Sequence, residues 1–208
     1  MASPWVWSAS AKRYRNTRTG RFIGQKDMLA LRDTFTQAQQ TQAAELARRL
    51  AQGDLTVDSW QRMMRTDVKD SFISQYVLGH GGRGSMTQAD WGRVGAMVKE
   101  QYRYLDGFAR AMADGELTEA QIANRAGMYH GSSTQAYERA SALASGVPSL
   151  PAYPGDGSTQ CHSNCRCHWD VRETDTGWDA YWIMDAAAEN CPDCIRRSQE
   201  WAPYEVTR

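Results

Sequence analysis
From Gln25 onward, apolar residues recur at helical spacing. Met28, Leu29, Leu31, Phe35, Leu46 and Leu50 punctuate an Ala/Gln-rich run without proline, and Gly53 stops it. A local repeat follows. "RRLAQGDLTVDSW" (48–60) and "RAMADGELTEAQI" (110–122) align without a gap. Each offers a glycine where a helix should end, then an acid, a leucine and a threonine able to cap the next helix. Thr118 and Gln121 have the spacing of a capping box, and Thr87 in "GSMTQADW" has a similar role. These signals predict four helices, over about 26–52, 57–79, 88–114 and 119–145.

Trp60, Met64, Phe72, Tyr76, Trp91, Val94, Val98, Leu105, Phe108, Met112, Ile122, Tyr129, Tyr137 and Leu143 supply the buried stripes. Such stripes mark a core rather than a cofactor site. Arg125 and Tyr129, one turn apart, read as a satisfied structural pair. "GHGGRGSMT" matches no phosphate-binding pattern and no strand precedes it, so it reads as a flexible tip. Short connections favour antiparallel neighbours. The expected fold is mainly α: an elongated antiparallel helical bundle over 25–147, with a basic N-terminal arm (1–24) and a small zinc-stapled C-terminal module (148–208).

The two ends differ from the body. "RYRNTRTGRFIG" (13–24) alternates aromatic, basic and small residues, as a short extended arm or hairpin does. With no periodic apolar face, the arm is expected to stay mobile until a partner orders it. "SGVPSLPAYPGDGSTQ" (145–160) holds three of the six prolines and three glycines, too many for a continuing helix. Beyond it lie Trp169, Trp178, Trp182 and Trp201, half of the chain's eight tryptophans. A segment this small gains little from apolar burial alone, and a metal staple is the usual remedy.

Charge adds an asymmetry. Lys+Arg and Asp+Glu both total 24, yet Lys12, Arg13, Arg15, Arg18, Arg21 and Lys26 precede every acid, the first being Asp27. Lys12, Arg13, Arg15, Arg18 and Arg21 are therefore candidate contacts for a partner's carboxylates or for phosphates; the alternative is a solvated tail. No stretch reaches the ~20 apolar residues of a membrane span, and "MASPWVWSAS" lacks the charged start and apolar run of a signal peptide. A reducing cytoplasm is the expected compartment, where disulfides are rare.

That expectation bears on the five cysteines, an odd number for a disulfide framework, all confined to "CHSNCRCHW" (161–169) and "CPDC" (191–194). Zinc takes four thiolate or imidazole ligands, commonly as two close pairs. Cys191 and Cys194 form one pair. Cys161, Cys165 and Cys167 supply the other with a thiol to spare, Cys161 on one reading, and His162 and His168 are reserves. With five thiols at hand a closed, structural site is expected rather than a catalytic one with an open position. The nucleobase-deaminase pattern fails, since Asn190 precedes Cys191 and neither histidine is followed by the needed glutamate. A thioredoxin-type CxxC lacks its βαβ context.

"PGDGSTQCHSNCRCHW", "WDAYWIMDAAAENCPDC" and "WAPY" together resemble the C-terminal module of phage head morphogenesis proteins, the minor head proteins of the Mu protein F-like type. The "RAGMY" segment and the "GRF" arm resemble these proteins less specifically. The resemblance implies a non-enzymatic virion protein in few copies, in the capsid interior or at the portal vertex, present in the host cytoplasm during assembly. Its implied partners are the portal and/or major capsid protein, with packaged DNA a further contact through the arm, and its implied role is head assembly or DNA packaging and delivery. Some relatives carry a toxin or enzyme domain after the module; none is expected here. The rival reading is a zinc-module nucleic-acid-binding protein with the basic arm on phosphates. The segment after Pro148 is acidic on balance, unlike a finger that reads DNA. A zinc hydrolase lacks HExxH or any evident water-activating carboxylate.

Overall fold
The computed structural model describes residues 5–8, 10–11, 13–115 and 117–208, and the side chains of Trp5, Trp7 and Arg13 are not among the described ones. The protein is mainly helical, with two small sheets. Strands β1 (Trp5–Ser8), β2 (Arg13–Asn16) and β3 (Phe22–Ile23) form an antiparallel sheet in chain order. Five helices follow: α1 (Gln25–Ala51), α2 (Val57–Gly79), α3 (Gln88–Ala113), α4 (Glu119–Gly131) and α5 (Thr134–Ala144). The C-terminal part comprises β4 (His168–Glu173), β5 (Gly177–Ile183), α6 (Pro192–Glu200) and β6 (Tyr204–Thr207).

The helix boundaries follow their caps. Thr56 accepts the Ser59 amide at 3.2 Å. Thr87 with Asp90, and Thr118 with Gln121, close reciprocal capping boxes. Gly53 and Gly115, at equivalent places in the two repeat copies, take φ of +81° and +73°, the left-handed turn that ends a helix.

Most of the predicted stripe is one core. Trp60, Met64, Phe72, Tyr76, Leu105 and Phe108 are fully buried, with Trp91 and Leu143 only partly so. Helix α1 packs on α4 and α2, and α2 on α5 and α3. The Arg125 guanidinium lies 4.7 Å from the centre of the Phe108 ring, consistent with a structural role for the Arg125–Tyr129 turn. Leu31 is exposed, whereas Arg32, one residue on, is 1 % exposed.

Three expectations are corrected. The predicted helix over 119–145 is two helices, broken at Ser132–Ser133. The Ser133 hydroxyl donates to the His130 carbonyl at 2.6 Å, competing with the helical ladder. Gly131 is also pressed against the Ser163 carbonyl, where a Cβ would stand only 2.5 Å from the oxygen. The loop after α2 is braced rather than free. His80 Nδ1 and Ser85 Oγ lie 3.1 Å apart, and Arg83 lies 5.0 Å from the centre of the Trp91 ring. The arm, finally, has an anchor: the buried Tyr14 donates to the Gly79 carbonyl at 2.5 Å. Lys12 lies outside the described residues, and Arg15, Arg18 and Arg21 are exposed.

The second core belongs to the C-terminal part. Strands β4, β5 and β6 form an antiparallel sheet with Trp169 opposite Trp182. Trp169, Trp182 and Trp201 meet with ring centres 5.3–5.7 Å apart, and Arg197 lies about 5 Å over two of them. Cys165, Cys167 and Cys194 are part of the same cluster. Among the described residues, no helix is long and apolar enough to cross a membrane.

Candidate metal centre
Helix α6 brings the two cysteine runs together. Cys191 is its N-cap and Pro192 its first residue, where a missing amide hydrogen costs nothing. Asp193 and Arg197, one turn apart, both grip the chain just before Cys161. The Asp193 carboxylate accepts the Gln160 amide at 2.9 Å, and Arg197 donates to the Ser158 carbonyl at 2.8 Å. Cys194, between them, is thereby set against the turn His162–Asn164 that joins Cys161 to Cys165.

The sulfurs of Cys161, Cys165 and Cys194 all lie within 4.8 Å of one another, a group that could hold a metal ion. Cys194 Sγ stands 3.8 Å from Cys161 Sγ and 3.7 Å from Cys165 Sγ. Cys167 Sγ is 4.0 Å from Asn190 Oδ1, and the Cys191 sulfur receives backbone amides of Cys194 and Cys161. All five predicted cysteines therefore gather at one place. Cys161, read from the sequence as the spare thiol, belongs to the innermost three. The reserve histidines stay out of the group. His168 is held down at about 4, neutral, chiefly by burial.

The thiols of the group shift one another's proton affinity in opposite directions. Hydrogen bonding from the Cys167 thiol draws Cys165 down to about 6 against the opposing effect of burial. Burial pushes Cys161 up to about 11 and raises Cys194 further. Cys167 is raised by its hydrogen bond to Cys165 and then by burial. At Cys191 burial acts upward, yet the two amide hydrogen bonds hold the thiol below its usual range. Without a positive charge the cluster thus carries few thiolates, because each further one is desolvated and repelled by its neighbours. A divalent ion removes that restriction.

The centre is tied to the helical body by a buried ion pair that sequence reasoning missed. Arg32 Nη1 lies 2.5 Å from Glu138 Oε1, with side chains 1 % and 2 % exposed. The other Glu138 oxygen accepts the Trp169 amide at 3.0 Å. Arg32 also donates to the Cys167 carbonyl at 3.3 Å and the Arg166 carbonyl at 3.4 Å, in the cysteine run itself. Burial pushes the Glu138 carboxyl up to about 7, opposed by the guanidinium. The available signal was periodic: Arg32 falls one turn after Met28, on the buried stripe of α1.

No family model, curated protein or solved structure matches the chain.

Proposed function
We propose that the protein is a phage minor head, or head morphogenesis, protein: a virion component that docks at the portal vertex or on the major capsid protein and acts in head assembly or in DNA packaging and delivery. The reading rests on the resemblance of the "NCRC…CPDC…WAPY" segment, and one structural observation supports it most. The cysteine-rich end is a metal-type thiol cluster packed into a tryptophan core and clamped to the helices by Arg32–Glu138. An all-sulfur donor set suits tetrahedral zinc. Three innermost thiols with two more alongside make a closed centre, whose contribution is a crosslink between α6 and the 161–167 run. The helices would form an elongated antiparallel body, and the exposed Arg15, Arg18 and Arg21 would meet carboxylates or DNA phosphates.

Co-expression with a portal protein tests the reading: the protein should co-purify with portal rings. Deleting residues 1–24 or the segment after Pro148 should lower the yield of infectious particles. Hydrolysis of a nucleotide, peptide or nucleic acid by the purified protein, lost in Cys194→Ser, would overturn the structural role and make the metal catalytic.

A further inference from the structure
Strands β1, β2 and β3 set one face against the helices and turn the other to solvent. Tyr14, buried with its hydroxyl on the Gly79 carbonyl, belongs to the inward face, and so does its cross-strand partner Ile23, which lines the same cavity. The alternation of a strand puts their neighbours outward. Val6, Arg15 and Phe22 stand opposite one another across the three strands. All three are exposed, Val6 by 39 % and Phe22 by 48 %. Exposed apolar residues scattered singly are ordinary; here two flank an arginine in one row, on a sheet whose other face is taken up by the body.

The turn from β2 to β3 adds charge beside that row. Asn16 Oδ1 accepts the amides of Arg18 and Thr19 at 2.9 and 3.1 Å, and Gly20, at φ +72°, donates to the Asn16 carbonyl at 2.8 Å. Arg15 Nε donates to the Gly20 carbonyl at 3.2 Å, which draws its guanidinium to the turn. Arg18 and Arg21 are exposed, and among the described residues neither guanidinium has a hydrogen bond or ion pair. No carboxylate precedes Asp27 in the chain. Three arginines gathered without a counter-charge repel one another, and an anion that bridges them relieves the repulsion.

Phe22 selects among anions. It has Arg15 opposite it in the sheet and Arg21 before it in the chain. A carboxylate offers the guanidinium groups a partner but offers the ring nothing. A single nucleic-acid strand engages both, with phosphates on the arginines and a base stacked on the ring. A duplex keeps its bases stacked within itself and presents mainly phosphate and sugar. We infer that the outward face of this sheet binds single-stranded nucleic acid, with Arg15, Arg18 and Arg21 on phosphates and Phe22 under a base. This rests on the part of the reading above that gives these arginines an anionic partner, and on neither the portal contact nor the thiol centre.

Fluorescence anisotropy of a labelled oligothymidylate, titrated with the purified full chain, reads the site. Binding should saturate and weaken with salt. Three phosphate contacts at about 0.7 each give a slope of log K on log salt of about −2, and Arg18→Gln or Arg21→Gln should each flatten it by about 0.7. Phe22→Ala should weaken binding about fivefold or more and leave the slope unchanged. The wild type should prefer the oligothymidylate to an abasic strand or a duplex of the same length, and Phe22→Ala should lose the preference over the abasic strand. Should that variant disturb the sheet, the abasic comparison, which needs no variant, still decides. The inference is overturned if no saturable binding occurs at low salt, or if the abasic strand or the duplex binds as tightly. Displacement by polyglutamate at equal charge concentration also overturns it and makes an acidic protein the partner. Co-purification with portal rings, measured separately, reports on the virion role.

Discussion
The helical body and the cysteine module each bury an aromatic core, but they are held together by different means. In the body, Trp60, Phe72, Leu105 and Phe108 come from helices that are capped by their own local sequence, and burial of their stripes supplies the stability. In the module, three tryptophans rest on a sheet of three short strands, and the cysteine runs meet only through contacts distant in sequence. The contrast shows how a small segment compensates for a thin core: it concentrates long-range, directional interactions, namely the thiol cluster, Asp193 and Arg197 on the 158–160 segment, and Glu138 on the Trp169 amide.

Removing the zinc proposed for the thiol cluster should separate the two regions most sharply. A structural zinc contributes on the order of 10 kcal/mol in small domains. Chelation, or Cys194→Ser, should erase the near-UV signals of Trp169, Trp182 and Trp201 and leave most far-UV helicity intact. Cys161→Ser should be as damaging as Cys165→Ser, since both belong to the innermost three. Metal analysis showing well under one zinc per chain in freshly reduced protein would falsify this picture.

Breaking the link between the regions should come next. Arg32→Met leaves the buried Glu138 carboxyl without its ionic partner, at a cost of about 3–5 kcal/mol. Denaturation followed by far-UV signal and by tryptophan fluorescence should shift in both, because the pair belongs to both. Adding Glu138→Leu should restore much of the loss; a shift confined to one probe would refute the clamp.

Acid should weaken the body in a defined window. His130 is fully buried, with Nδ1 2.8 Å from Ser71 Oγ and Nε2 unpaired. Burial holds it at about 4, against 6.5 for the free side chain. The unfolded chain therefore binds more protons between these values, so this stability is complete above about pH 6.5 and falls as pH drops toward 4, by up to about 3 kcal/mol. Glu138, pushed from 4.5 up to about 7, acts oppositely: its contribution is present below 4.5 and lost as pH rises through 7. Urea denaturation of the wild type against His130→Gln isolates the histidine, and a pH-independent difference would exclude it. The smallest effect is local. Thr118→Ala opens one capping box, costs about 1 kcal/mol, and should leave the module's tryptophan signals unchanged.

The chain's local sequence determined the first three helices, the threonine caps of α2, α3 and α4, most of the core and the gathering of the five cysteines. Each of these depends on residues a few positions apart, or on a donor chemistry with few alternatives. The break at Ser132–Ser133, the anchoring of Tyr14, the Arg32–Glu138 pair, the identity of the innermost thiols and the outward row of the first sheet were decided by tertiary structure. Arg32 shows why. An arginine on an apolar stripe is buried only if a carboxylate and free carbonyls wait at its end, and here Glu138, Arg166 and Cys167 arrive from more than a hundred residues away. Local spacing records which face of a helix turns inward; what that face meets is fixed only when the chain has closed on itself.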